Sequence, residues 1–225
     1  MSYVIDAGER PSLQTTGGGL FPVRRIWCVG RNYAEHAREM GHSGREAPFF
    51  FAKPWGAATM AAEVPYPPGT AELHHEVELV VALGGGGSAV SPDDVPGLIW
   101  GATVGVDLTR RDVQAEAKKK GRPWDMAKGF DHSAPMAPLR PIGECGPIDR
   151  GRIALSVNGE TRQDADLSEM IWSVAEHMSE LSKMVELAPG DLVMTGTPAG
   201  VGAVSRGDTV ECSVERIAEH SFRVV

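Results

Sequence analysis

Residues 73–83 read LHHEVELVVAL, and the second half of this stretch has the apolar, β-branched composition of a buried β-strand. Glu76 and Glu78 lie two positions apart within it. Because successive strand side chains point to opposite faces, both carboxylates are expected on the face shared by Val80 and Ala82. At about 7 Å they would repel each other by roughly 2 kcal/mol at an effective dielectric constant near 20, and burial adds to that cost. The stretch therefore predicts a compensating positive charge beside these acids.

The composition is that of an ordinary globular protein, with 225 residues of which 42% are hydrophobic and 23% are charged. A formal net charge of −8 argues against a nucleic-acid partner. The dense basic run at residues 118–120 falls at the end of a predicted helix, where lysines complement the helix dipole, although such a run can also bind phosphate. The sequence has no membrane-spanning apolar stretch, no signal-peptide pattern and no paired cysteine spacing. These features predict a cytoplasmic protein without a membrane partner.

The chain is divided by turn and capping signals rather than by linkers. Residues 1–20 end in TTGGG and are interpreted as an N-terminal extension joined by a flexible hinge. A strand over 21–30 is followed by a helix over 32–40 with Asn32 as its N-cap. A second helix follows Thr109 and ends at Gly121.

In the second half, Asn158-Gly159 suits the type I′ turn of a β-hairpin. Ser173 and Glu176 form a capping box for a third helix, with an apolar stripe over Val174, Met178, Leu181, Met184 and Val185. Many strands with few short helices, and no βαβ alternation, predict an α+β fold with a sheet-rich core. One main domain is expected, which spans residues 21–225.

A divalent cation is one way to compensate the charge of Glu76 and Glu78. Asp107 follows the predicted strand GATVGVD and offers a third hard oxygen, as Mg²⁺, Mn²⁺ or Ca²⁺ prefer. The alternatives are a solvated edge strand, or pairing of these acids with Arg or Lys. The neighbouring His74 and His75 point to opposite faces and lack a second ligand at zinc spacing, so they are interpreted as turn or core histidines.

Three further features are candidates for chemistry. His36 and Glu39 lie three positions apart on one helix face, as in a general base whose imidazole is oriented by a carboxylate, or as in an ordinary surface pair. Lys53 and Lys128 have mostly apolar neighbours, which calls for an anionic substrate or a structural ion pair. The glycine-rich segment GTPAGVG at 196–202 lacks the Lys-Ser/Thr of a P-loop, but its backbone N–H groups can approach an anion.

These residues belong to motifs that resemble the fumarylacetoacetate hydrolase family in its short single-domain branch. The similar stretches cover nearly the whole chain: CVGRNYAEHAREMG (28–41), PFFFAKP (48–54), LHHEVELVVALG (73–84), VGVDLTRRDVQAEAKKKGRPWDMAKGFD (104–131), VNGETRQ (157–163) and GDLVMTGTPAGVG (190–202). The combination of H-x-E-x-E, D-L-T-x-R-D-x-Q and G-T-P-x-G-V-G is specific to this family. Within the branch, FPVRRIWCVGRNY followed by PFFFAKP is most similar to bacterial members that hydrolyse fumarylpyruvate.

The resemblance implies a mixed β-roll of strongly bent sheets with a few short peripheral helices, usually assembled as a homodimer. It implies that Glu76, Glu78 and Asp107 hold one Mg²⁺ or Mn²⁺ per subunit, and that His36 and Glu39 activate water. It also implies that Lys128 contacts the reacting oxygens. The substrate-binding residues that it implies are Arg31, Lys53, Arg111, Gln114, Gly196 and Thr197.

The activity implied by the resemblance is hydrolysis of the C–C bond of a 2,4-diketo acid, with 3-fumarylpyruvate as the expected substrate and fumarate and pyruvate as products. This reaction belongs to gentisate breakdown. The alternatives are an acylpyruvate hydrolase, an oxaloacetate decarboxylase, an enol-acid isomerase and a catalytically silent metal-binding fold.

Overall fold

The computed structural model describes residues 4–6, 8, 10–35 and 45–225. Its strands, in chain order, are β1 (Ser12–Gln14), β2 (Leu20–Pro22), β3 (Arg25–Gly30), β4 (Phe49–Lys53), β5 (Ala58–Thr59), β6 (Glu63–Val64), β7 (Leu73–His75), β8 (Val77–Leu83), β9 (Ile99–Val106), β10 (Thr109–Arg110), β11 (Ala134–Pro135), β12 (Arg140–Pro141), β13 (Arg152–Val157), β14 (Glu160–Asp166), β15 (Asp191–Met194), β16 (Gly202–Val204), β17 (Thr209–Val214) and β18 (Ala218–Val224). The α-helices that lie wholly within the described residues are α1 (Arg111–Lys120), α2 (Asp125–Lys128) and α3 (Val174–Met184). Short 3₁₀ turns cover Trp55–Ala57, Val95–Leu98, Ile142–Glu144 and Leu167–Glu169.

Two large mixed sheets form the body of the protein, which confirms the predicted α+β class and bent-sheet fold. One has six strands in the order β12-β9-β8-β15-β3-β4, and the other has five in the order β14-β13-β17-β18-β6. The main core lies between them and contains Leu79 of β8, Val104 of β9, Leu155 of β13 and Phe222 of β18. The Asn158-Gly159 turn joins β13 to β14 with φ of 53° and 79°, as the predicted type I′ hairpin requires.

Strand β8 is buried on both of its faces. Val77, Leu79, Val81 and Leu83 contribute to the main core, whereas Val80 and Ala82 belong to a second apolar cluster with Ile26 and Cys28. Glu78 therefore lies on the face of Val80 and Ala82, as the strand period predicts. An edge strand with solvated acids, the alternative interpretation, is wrong because β8 is paired with β9 and β15 on its two sides.

The chain changes sheet at Glu76, between β7 and β8. Strand β7 belongs to a separate three-stranded sheet in the order β10-β7-β16, so the stretch 73–83 is two strands rather than one. The Gln163 carboxamide oxygen accepts a hydrogen bond of 3.0 Å from the Val77 N–H, a bond that β-pairing would otherwise supply. Consequently Glu76 lies at a bend of the chain, where its side chain can meet residues at the end of β9.

The helices follow their capping signals. Helix α1 ends at Gly121, which adopts a φ of 60°, and Ser173 and Glu176 form both bonds of the predicted capping box of α3. The apolar stripe of α3 is predicted correctly for Val174, Met178 and Leu181, but Met184 is 68% exposed. Met184 is the last residue of α3, where the chain leaves the core and turns toward β15.

The N-terminal residues differ from the predicted hinge. Residues 15–19 close a hairpin in which β1 pairs with β2, and Leu13 of β1 is buried in the second apolar cluster. The predicted strand over 21–30 is divided between β2 and β3. Ala34 and Glu35 are helical, and residues 36–40 of the predicted helix lie outside the described residues. Across the described ranges, no helix combines the length and apolarity needed to span a membrane.

Replacement of a buried and an exposed residue on α3 tests this packing. We expect Leu181→Ala to lower the free energy of unfolding by about 3 kcal/mol, because the side chain is buried and its loss leaves a cavity. Met184→Ala, three positions away on the same helix, should cost less than about 0.5 kcal/mol because that side chain is exposed. Urea unfolding followed by circular dichroism measures both values. Equal losses would show that α3 packs by a different face.

Candidate metal centre and active site

Three buried carboxylates meet where the chain leaves the six-stranded sheet. Glu76, Glu78 and Asp107 each place one oxygen within 4.8 Å of the others, and they form the one such group found among the described residues. Glu76 lies at the bend, Glu78 on β8 and Asp107 directly after β9. The antiparallel register sets Val77 opposite Val106, and the Asp107 N–H donates a 2.8 Å hydrogen bond to the Glu76 carbonyl. The sheet thus brings residues 31 positions apart into one cluster.

The electrostatics of this cluster suit a divalent cation. Burial, then the negative charges of Asp107 and Glu76, raise the pKa of Glu78 well above its usual value. The Glu78 carboxylate accepts a 2.7 Å hydrogen bond from the Gly196 N–H, but within the described ranges no lysine or arginine is ion-paired with it. Three hard oxygen donors, of which Glu78 has no cationic partner among the described residues, are the donor set of Mg²⁺ or Mn²⁺. The three predicted ligands therefore fit this group of metals.

Lys128 lies beside the triad rather than in solvent. Its Nζ is 2.8 Å from Glu76 Oε2 and 2.6 Å from Asp107 Oδ2. Burial alone would lower the pKa of Lys128, but the charges of Asp107 and Glu76 outweigh it and raise the pKa above its usual value. The ammonium group is therefore held in its protonated form at the edge of the site.

Lys53 occupies the far side of Asp107. Its fully buried Nζ lies 2.7 Å from Asp107 Oδ1, and it donates hydrogen bonds to the Leu108 carbonyl at 3.2 Å and to the Lys128 carbonyl. It does not line the cavity at the triad. Of the two predicted roles for Lys53, the structure thus favours the structural ion pair over contact with an anionic substrate.

A cavity opens in front of the triad. Of the predicted residues, it is lined by Arg31, Arg111, Gln114, Lys128 and Thr197. Arg111 pairs with Glu76, donates a 2.6 Å hydrogen bond to Gln114 Oε1 and reaches His74 Nδ1 at 3.3 Å. His74 and His75 are outside the carboxylate group, which agrees with their interpretation as turn or core residues.

The glycine-rich loop after β15 contributes backbone to the site. Gly196 has a φ of 95°, and a Cβ there would lie 2.6 Å from the Asn32 Cβ, so a residue with a side chain does not fit. Gly196 donates its N–H to Glu78, whereas Thr197 lines the cavity. The Asn32 side chain, predicted to cap a helix, is engaged elsewhere, because its carboxamide oxygen accepts a 2.8 Å hydrogen bond from the Trp172 N–H and its nitrogen donates to the Trp172 and Thr195 carbonyls at 2.9 and 2.8 Å. It instead ties the end of β3 to this loop.

Sequence reasoning missed several residues of the site. Gln163 joins the bend to the loop, since its Oε1 accepts from Val77 N–H and its Nε2 donates to Thr197 Oγ1 at 2.8 Å. No local pattern marks it, because β14 belongs to the other large sheet. The side chains of Phe49, Phe51, Lys118 and Trp124 also line the cavity. The sequence period could have indicated three of them. Phe49 and Phe51 occupy alternate positions on one strand face, and Lys118 lies four positions after Gln114 on a helix.

His36 and Glu39, the predicted water-activating pair, lie outside the described residues. Arg31 precedes that segment and is described, with a φ of 56° at the end of β3. Positive φ is uncommon for a residue with a long side chain and often marks a functional site.

The bent mixed sheets carry a carboxylate triad beside a cavity lined by cations. These features are those of an enzyme that depends on a divalent metal ion. The chain belongs to the fumarylacetoacetate hydrolase family, whose C-terminal domain model matches residues 25–225. It is 42% identical over 187 residues to the fumarylpyruvate hydrolase of Ralstonia sp, covering 83% of this chain and 97% of that protein. It is 41% identical over 211 residues to the mitochondrial oxaloacetate tautomerase of Rattus norvegicus, covering 90% of this chain and 96% of that one.

The structure is similar to the crystal structure of fumarylpyruvate hydrolase from Pseudomonas aeruginosa in complex with Mn²⁺ and pyruvate. The TM-score is 0.96 at 47% sequence identity, with 100% of this chain and 99% of that chain covered. The likeness thus covers the strands, the triad and the glycine-rich loop together.

A Glu78→Gln variant tests the metal site without an activity assay. We expect Mn²⁺ affinity, measured by isothermal titration calorimetry, to fall by at least about 10–100-fold. Loss of a partner that only supports a metal ligand costs that much, and Glu78 is itself a ligand. Without metal, the variant should unfold at a higher temperature than the parent, because one charge of the buried cluster is removed. Glu219→Gln on β18 is the control and should change neither value, since Glu219 is exposed. Unchanged Mn²⁺ binding in Glu78→Gln would contradict the assigned site.

Proposed function

We propose that this chain is a metal-dependent hydrolase that cleaves the carbon–carbon bond of a 2,4-diketo acid, with 3-fumarylpyruvate as its substrate. The observation that carries the proposal is the buried triad at a cation-lined cavity, in a chain 47% identical to a fumarylpyruvate hydrolase that was crystallised with Mn²⁺ and pyruvate. The reaction consumes water and gives fumarate and pyruvate. It fits aromatic breakdown through gentisate.

The metal ion would make one chemical contribution, as a Lewis acid. Glu76, Glu78 and Asp107 would hold one Mg²⁺ or Mn²⁺, which supplies Lewis-acid stabilisation of the negative charge that develops on the pyruvate part of the substrate. The protein supplies the remaining elements, namely positioning and proton transfer. Gln163 supports this arrangement by joining Val77 to Thr197.

Proton transfer is assigned to His36 and Glu39. The His36 imidazole takes a proton from water while Glu39 fixes its tautomer. The water oxygen bonds to the 4-oxo carbon, and the bond between that carbon and the neighbouring CH₂ then breaks. The departing enolate takes up the proton that His36 accepted and becomes pyruvate, and the newly formed carboxylic acid releases its remaining proton to give fumarate. Lys128, held protonated between Glu76 and Asp107, donates a hydrogen bond to a reacting oxygen.

The remaining predicted residues orient the substrate. Arg111 donates a 2.6 Å hydrogen bond to Gln114 Oε1, and the remaining N–H groups of the two side chains would donate to a carboxylate of the substrate. Thr197 contributes its hydroxyl from the loop after β15, whereas Gly196 acts indirectly by donating its N–H to Glu78. Arg31 adds a second guanidinium on the cavity wall. Lys53 acts indirectly, by holding Asp107.

Catalysis on oxaloacetate is the second candidate, favoured by the 41% identity to an oxaloacetate tautomerase. It requires the same binding of a 2-oxo acid and a stabilised enol, but no attacking water. Decarboxylation of oxaloacetate and hydrolysis of other acylpyruvates make similar demands on the site. Substrate comparison with one metal-loaded preparation separates these activities.

The decisive assay follows the ultraviolet absorbance of fumarylpyruvate with Mg²⁺, with Mn²⁺ and with chelator, alongside oxaloacetate tautomerisation and pyruvate release. We expect fast loss of fumarylpyruvate that chelator abolishes, and slower conversion of oxaloacetate. The reverse ratio would make the protein an oxaloacetate enzyme with the same metal site.

The proposed dyad has its own test. His36→Ala should lower kcat for fumarylpyruvate by about 10²–10⁴-fold, the usual contribution of a general base, without loss of Mn²⁺ binding. His132→Ala is the control, since His132 is exposed, and should retain full turnover. A His36→Ala protein with full turnover would remove the dyad from the mechanism.

We also infer a cytoplasmic homodimer in which residues 21–225 form the catalytic domain and residues 1–20 an N-terminal extension. The support is the family resemblance. Light scattering coupled to size-exclusion chromatography should then give twice the 24.0 kDa mass of one chain. A mass of one chain would overturn the dimer.

A further inference from the structure

Lys118 differs from the two lysines that follow it. It is half-buried on the last turn of α1, lines the cavity at the triad and has its Nζ 5.1 Å from the Trp124 ring centroid. Lys119 and Lys120 are exposed, and Lys120 pairs with Glu116. The interpretation of this run as lysines that complement the helix dipole therefore does not account for Lys118, which is directed toward the site by the same helix face as Arg111 and Gln114.

Arg31 is the second cation of this wall. Its guanidinium carbon lies 5.2 Å from the Phe49 ring centroid, and among the described residues its buried Nε has no hydrogen-bond partner. The preceding Gly30 is required for this placement, because a Cβ there would lie 2.0 Å from the Phe49 ring. The backbone is thus held in an uncommon conformation that keeps a positive charge at the cavity.

Arg31 and Lys118 share a lack of acidic partners among the residues that the structure describes. The other cations of the site are matched, since Arg111 pairs with Glu76, Lys128 with Glu76 and Asp107, and Lys53 with Asp107. Within the described part of the chain, no carboxylate is ion-paired with Arg31 or Lys118. Burial, followed by the charges of Arg111 and Arg31, lowers the pKa of Lys118 to about 8. Two unmatched cations at one wall favour an anionic ligand.

We propose that Arg31 and Lys118 form a subsite for a second carboxylate of the substrate, at the end remote from the bond to be cleaved. The inference rests on the proposed function, in which the 2-oxo acid end occupies the triad. It restricts the substrate class to 2,4-diketo acids that carry a carboxylate on the acyl side. The rings of Phe49 and Trp124, 5.4 Å apart on the same cavity, offer apolar contact to the carbon chain between the two carboxylates.

Binding of two matched ligands tests the subsite without turnover. 2-Oxoheptanedioate and 2-oxoheptanoate have the same carbon chain, differ by the terminal carboxylate and lack the 4-oxo group that cleavage requires. With Mn²⁺-loaded protein, calorimetry should show that the dicarboxylate binds about tenfold more tightly, as one charge-assisted hydrogen bond allows. This preference should disappear in Lys118→Gln and persist in Lys119→Gln, its exposed neighbour. If Lys118→Gln weakened the binding of both ligands equally, or changed the binding of neither, the subsite would be wrong.

Turnover separates this inference from the proposed function. Lys118→Gln should lower kcat/KM for fumarylpyruvate about tenfold and leave kcat/KM for the monocarboxylate acetylpyruvate within about twofold. If the parent protein hydrolyses both substrates equally well, the subsite is wrong and the hydrolase assignment stands. If it prefers the dicarboxylate in binding but cleaves neither substrate, the proposed function is wrong and the subsite stands.

Discussion

The structure depends on the burial of three carboxylates in one place. Glu76, Glu78 and Asp107 are each less than a tenth exposed, so their mutual repulsion is not screened by water. Lys128 and Lys53 offset the charge of Asp107 on its two sides, and Arg111 offsets that of Glu76. Glu78 receives a backbone N–H instead of a cation. This remaining imbalance explains why a divalent cation is the natural occupant of the cluster.

The bend between two sheets brings the three carboxylates together. The chain is bent at Glu76 so that β7 and β8 join different sheets, and Gln163 from a third sheet satisfies the backbone at the bend. The same Gln163 side chain holds Thr197 of the glycine-rich loop. One amide thus couples the position of the metal ligands to the loop that faces the substrate. A straight strand would place Glu76 within a ladder of hydrogen bonds, away from Lys128 and Arg111.

Much of the fold was predictable from local patterns. The strand period put Glu78 on the face of Val80 and Ala82, the Asn158-Gly159 turn identified a hairpin, and capping residues located α3. The errors lie where tertiary contacts overrule local signals. The TTGGG segment closes a hairpin rather than a hinge because Leu13 packs into an apolar cluster, and the Asn32 side chain, predicted as a helix cap, bonds to Trp172 and Thr195.

The sequence by itself determined the α+β class and the family to which the chain belongs, and through that family the three acids expected to hold a cation. These follow from period, residue chemistry and motif spacing, which are local properties. Only the tertiary structure decided which of the described cations are ion-paired with carboxylates and which are not, because that depends on side chains from separate elements meeting at one cavity. Lys53 and Lys118 illustrate the difference. Lys53, for which an anionic substrate or a structural ion pair was predicted, is paired with Asp107, whereas Lys118, assigned to a helix end, lines the cavity and has no ion-pair partner among the described residues.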